Sequence, residues 1–142
     1  MKTKSDSGPL LAAYLKLHGE SLDPTEVSKI LRVYPTKSWE KGDRHTTSAG
    51  NEVVRKSGLW GLTADRKLVT IPDMISELIG NISVKESLFQ IIPNLEFAEI
   101  SIFKAEDYSN SGRNSIDISI GSNHLAAIAR LGLTISFELC IV

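Results

Sequence analysis

One cysteine, Cys140, is all that the chain contains. A lone thiol excludes an internal disulfide and any metal site built from clustered cysteines, so folding does not call for an oxidising compartment. No apolar run approaches the roughly 20 residues of a membrane-spanning helix. An excess of either charge is missing too: sixteen Lys and Arg stand against seventeen Asp and Glu. That balance argues against a dedicated nucleic-acid binder, which shows a basic surplus on one face. The phosphate-cradling patterns G-x-x-x-x-G-K-[ST] and G-x-G-x-x-G are absent, as is the nucleophile elbow G-x-S-x-G.

Histidine is equally sparse. His18, His45 and His124 stand far apart and in no ligand spacing, so neither a metal nor a cofactor is expected. Cys140 lacks the flanking cations that lower a thiol pKa, which makes it a spectator. The acids Glu96, Glu99, Glu106 and Asp107 have surface-type surroundings, without the contrasting environments that acid–base catalysis uses. No enzyme is expected from these residues.

What remains is an ordinary globular composition, 42 % hydrophobic and 23 % charged. A length of 142 residues fits one domain. The opening MKTKSDSGPLLAAYLKLHG is interrupted by Lys16 and His18 and precedes no small-residue cleavage site, so a signal peptide is not expected. Residues 1–8 read as a flexible lead, and the default location is the cytoplasm. Charge is unevenly spread: twelve basic and eight acidic residues in 1–70, against four and nine in 71–142. A dipolar surface of this kind steers charged partners.

Along the chain, Leu11, Ala13, Leu15 and Leu17 alternate with Tyr14, Lys16 and His18, the period of a half-buried strand. Asp23, Pro24 and Glu26 then supply a cap, a first-turn proline and a capping-box acid for a helix over 24–32. Pro35 closes that run. Residues 36–52 are polar and read as a long loop or a ragged hairpin. Residues 53–63 read as a strand marked by Gly58 and Gly61. Ile71, Met74, Ile75, Leu78, Ile79 and Ile82 are related by i+3 and i+4 spacings, form one apolar stripe and predict a helix over 72–80. A second capping box, Ser83 with Glu86, predicts another helix running to Pro93.

Alternation over 95–103, 116–120 and 133–141 predicts three more strands, with a turn at 107–115 and a helix between Ser122 and Gly132. One face of most strands is polar, which excludes a sheet covered on both sides. The expected fold is therefore α+β: a two-layer sandwich, its mixed, mostly antiparallel sheet of about six strands carrying three to four helices on one face. The strand at 116–120, its helix and the final strand should form a right-handed crossover if the two strands lie parallel in one sheet.

Two candidate surfaces follow. The open sheet face would present Asp117, Ser119, Thr134, Ser136 and Glu138 to a protein partner. The stretch VYPTKSWEKGD and its continuation bring Lys37, Trp39, Lys41, Arg44 and His45 together, cations around an aromatic that would suit a phosphate or nucleotide. Pro35, Gly42 and Trp60 read as structural: a helix stop, a turn and a buried ring.

GESLDPTEVSKILRVYPT, EKGD, GLWGLT and the closing ISIGSNHLAAIARLGLTISFEL together resemble the bacterial domain-of-unknown-function family 4279. That resemblance implies a small bacterial cytosolic domain and brings no catalytic residues with it. The leading expectation is a non-enzymatic protein-interaction module, such as an immunity-type neutraliser of a partner toxin. The alternative is a small-ligand or nucleotide-binding module using the 37–45 loop. An unpaired edge strand would also support a homodimer.

Overall fold

The computed structural model describes residues 11–106 and 115–141. Its centre is β1 (Leu11–Gly19), whose alternation points Ala13, Leu15 and Leu17 into the core. α1 (Pro24–Leu31) follows, with the Asp23 carboxylate accepting from the Thr25 amide and Pro24 in the first turn. Arg32 ends it in a left-handed conformation at φ 60°, three residues ahead of Pro35. β2 (Lys37–Trp39) comes next. β3 (Arg44–Thr46) and β4 (Glu52–Val54) pair into a separate ribbon, and β5 (Gly58–Thr63) returns to the main sheet.

α2 (Ile71–Gly80) is capped by the Thr70 hydroxyl, which accepts from the Asp73 amide. α3 (Leu88–Ile91), β6 (Phe97–Glu106), α4 (Ser122–Leu131) and β7 (Thr134–Ile141) complete the order. The main sheet runs β2-β5-β1-β6-β7, antiparallel except for the parallel β6–β7 pair joined through α4. The helices lie on one face: α2 packs on β1, α1 on β5, and α4 on β7 and α2. Between the layers sits one core containing Trp60, Leu15, Leu17, Met74, Ile75, Leu78, Ile100 and Leu131. The α+β class with helices on one face stands as read from the sequence.

Four details differ. The main sheet has five strands among the described residues, because β3 and β4 form their own ribbon. Residues 116–120 alternate in burial but join no ladder. Both edges of β6 are already taken, by β1 and β7, so Ile118 and Ile120 pack on the core from an extended segment. The crossover unit is therefore β6-α4-β7. The helix read from Ser83 shrinks to Leu88–Ile91, because the Glu86 carboxylate accepts from the Lys85 amide instead of closing a box on Ser83. The strand read over 53–63 breaks after Val54, where Arg55 exchanges backbone hydrogen bonds with Gly42 and Asp43.

The polar stretch 36–52 thus holds β2 and β3 within a hairpin, with Gly42 and Gly50 in left-handed turns at φ 94° and 89°. Residues 1–8, read from the sequence as a flexible lead, and nearly all of the turn expected at 107–115 lie outside the described residues.

Candidate binding face

Strand alternation decides which side chains reach the uncovered side of the sheet. On β1 these are Tyr14, Lys16 and His18, the residues between the core leucines. Register carries the pattern outward. Lys16 stands opposite Gly61 on β5 and Glu99 on β6, and Gly61 in turn stands opposite Lys37 on β2. Trp39 lies across from Leu59, and Leu59 across from His18. Farther along the same face, Ser101 pairs with Ser136 and Phe103 with Glu138.

Gly61 has no side chain to fill the row between the two lysines. The result is a cleft of about 680 Å³, with Tyr14, Lys16, Lys37, Trp39, Thr63 and Arg66 among its walls. β2 is held against it by Thr36: its amide donates to the Gly61 carbonyl at 2.8 Å, and its hydroxyl accepts from the Thr63 amide at 2.9 Å. That is the work of the Pro-Thr step. It ends the run after α1 and clamps a three-residue strand that could not hold itself.

The electrostatics of the cleft are one-sided. Lys16 Nζ lies 5.3 Å from the Tyr14 ring centre and Lys37 Nζ 5.5 Å from that of Trp39. Arg55 stacks on Trp39 at 3.5 Å. Among the described residues, no ion pair takes up Lys16, Lys37 or Arg66. Glu138, on the β7 side, is the one acid in the cleft wall. Lys16 has Glu99 as its cross-strand neighbour but forms no ion pair with it, and Lys37 faces Gly61, so both ammonium groups remain able to attract an external anion.

Next to the cleft, Glu99 joins two elements. One carboxylate oxygen accepts from the Ser136 hydroxyl at 2.6 Å, and the other lies 3.9 Å from His18 Nε2. His18 also packs against the Phe97 ring, with centres 5.9 Å apart. Burial holds the His18 pKa below its ordinary value; Glu99 pulls the other way and Lys16 reinforces the lowering. The order Ser136–Glu99–His18 puts the acid in the middle, so neither base nor orienting group stands where a serine nucleophile needs it. No group of three or more potential metal ligands occurs among the described residues.

The sequence-proposed loop divides. Lys37 and Trp39 face the cleft, whereas Lys41 is paired with Glu20 and Arg44 with Glu52 on the ribbon side. His45 is exposed on β3 and shares with Trp39, Arg44 and Arg55 a second hollow of about 400 Å³. The five residues assigned to the open face divide as well. Thr134, Ser136 and Glu138 belong to it, but Asp117 and Ser119 do not. They border a different cleft beside the start of α2, where the Asp117 carbonyl accepts from Lys104 Nζ at 3.1 Å.

Tyr14, Lys16, Gly61, Thr63 and Arg66 were not picked out by sequence. The period-two pattern of β1 did mark Tyr14 and Lys16 as outward, but only sheet order brings β5 and β2 alongside. Pro35 is half-buried, Gly42 is in its turn, and Trp60 is fully buried.

A family model described as "Domain of unknown function (DUF4279)" matches residues 9–141 of the chain. No curated protein and no solved structure matches it at a significant level.

Proposed function

Since the chain belongs to the DUF4279 family, whose description assigns no activity, we propose on physical grounds that it is a non-enzymatic protein-binding module. Its working surface is the open sheet face, and the occupant is the acidic surface of a partner protein. The observation that carries this reading is the pair Lys16 and Lys37 on either side of Gly61, neither held in an ion pair among the described residues. Around them lie Tyr14, Trp39 and Phe97, and aromatic residues with cations are the enriched composition of protein interfaces. Neutralising an acidic toxin is one task for such a surface. A chain with one cysteine and no helix among the described residues long enough to cross a membrane suits the cytoplasm.

A second reading has its own observation. The cleft volume falls within the range of small-ligand sites, roughly 300–1,000 Å³. A phosphorylated metabolite would place its anion between Lys16 and Lys37. Stacking of a base is disfavoured, because Arg55 already covers Trp39.

Capture from the native host separates the two. The wild-type chain and a Lys29→Glu/Lys67→Glu control should retain the same identified acidic protein, whereas Lys16→Glu/Lys37→Glu should lose it. Equal capture by all three would remove the open-face reading. Thermal stabilisation by phosphate compounds that Gly61→Leu abolishes would favour the small ligand instead.

A further inference from the structure

We propose that the chain self-associates through β7, two copies pairing antiparallel across a dyad at Phe137. Among the described residues β7 is an edge strand, bonded to β6 on one side only. Edges in solution are ordinarily guarded by lysine, proline, a bulge or brevity. β7 has eight residues, one charge (Glu138), and neither proline nor lysine. Its helix-side residues begin buried and end bare. Leu133 is buried and Ile135 packs on the core, but α4 stops short of the rest. Phe137, Leu139 and Ile141 are 44 %, 47 % and 55 % exposed, and Leu125 of α4 is 46 % exposed.

A second copy is the occupant that this strand fits, and the register follows from its side chains. Residues opposite one another across a two-fold axis normal to the sheet must share a face, so the dyad falls on a residue and not between two. The middle of Thr134–Ile141 leaves Phe137 or Glu138. A dyad at Glu138 would oppose two carboxylates, which is destabilising. At Phe137 the two rings meet, Ile135 faces Leu139 of the other copy, and Leu133 faces Ile141. On the other face Ser136 meets Glu138, so the carboxylate of each copy stands opposite an uncharged side chain and not opposite a like charge. The apolar row left bare in one copy is covered by the same row of the second. This inference rests on β7 and not on the lysine cleft, so either can fail alone.

The test combines mass in solution with cross-linking. Light scattering on the purified chain at micromolar concentration should give a dimer, and Phe137→Lys should give a folded monomer, since Phe137 is half-exposed and outside the core. In a Cys140→Ser background, Phe137→Cys should form an intermolecular disulfide on mild oxidation. Glu138→Cys should not, because its copies sit diagonally, roughly 8 Å apart at Cα and beyond the reach of a disulfide. A wild-type monomer at all concentrations overturns the proposal, as does a dimer indifferent to Phe137→Lys. Cross-linking through position 138 in place of 137 overturns the register. So does capture of a foreign strand on β7 by a chain that stays monomeric.

Discussion

The indole N–H of Trp60 donates to the Ser28 hydroxyl at 3.0 Å, tying the core face of β5 to α1. Trp60 has no exposed surface, so the ring fills the layer between sheet and helix while its one polar atom is satisfied. Trp60→Ala should cost about 3–5 kcal/mol, by lost burial plus the cavity. Ser28→Ala should cost about 1–3 kcal/mol, because the donor is left unpaired. Chemical denaturation of the two variants measures both, and the tryptophan change should be the larger.

Two glycines of β5 should respond in opposite ways. A Cβ on Gly58 would lie 2.6 Å from the Leu22 carbonyl oxygen and 3.2 Å from that of Gly19, both backbone atoms that cannot step aside. Gly58→Ala should therefore destabilise by roughly 1–3 kcal/mol. A Cβ on Gly61 would meet nothing closer than 3.5 Å. Gly61→Ala should be neutral or more stable by roughly 0.5–1 kcal/mol, since glycine weakens a strand. Parallel melting curves decide it; equal losses at both positions would contradict the packing described.

His18 should titrate below the ordinary histidine value, because burial outweighs the Glu99 carboxylate. A depressed folded pKa means that the unfolded chain binds a proton first as pH falls. Its effect on stability is thus nil well above pH 6.5. It becomes a loss as pH drops from that value toward the folded pKa. A proton-resolved NMR titration should give a His18 midpoint under 6.5, and His18→Gln should flatten the acid limb of the stability profile between the two pKa values. A midpoint raised above 6.5 would mean that Glu99 dominates.

Arg55 stacked on Trp39 joins the ribbon to the cleft wall. Arg55→Ala should shift Trp39 fluorescence and raise its accessibility to a neutral quencher, with a coupling of about 0.5–1 kcal/mol in a double-mutant cycle. Trp60, being buried, should not contribute to the change.

Much of this architecture was written locally. The alternation of Leu11–Leu17, the Asp23-Pro24 start and the Ile71–Leu78 stripe each match an element, because those signals depend only on neighbours a few residues away. Residues 116–120 show the limit. Alternating burial requires an extended chain beside a core, whereas a strand also requires backbone pairing, and the place beside β6 is held by β7. The site was harder to read for the same reason. Lys37 and Trp39 were visible as a cation beside an aromatic, yet Lys16 becomes their neighbour only through β5, 21 residues or more from either in sequence. Lys41 and Arg44 looked equivalent to Lys37 until Glu20 and Glu52 were found beside them.

The open face is tested most directly by the affinity of the captured acidic partner for the wild type and for Lys16→Glu/Lys37→Glu, measured calorimetrically at low and high salt. Wild-type binding should weaken as salt rises, and the double variant should bind about tenfold more weakly or worse at low salt, roughly 1.4 kcal/mol. Equal affinities, unmoved by salt, would place the partner elsewhere on the molecule.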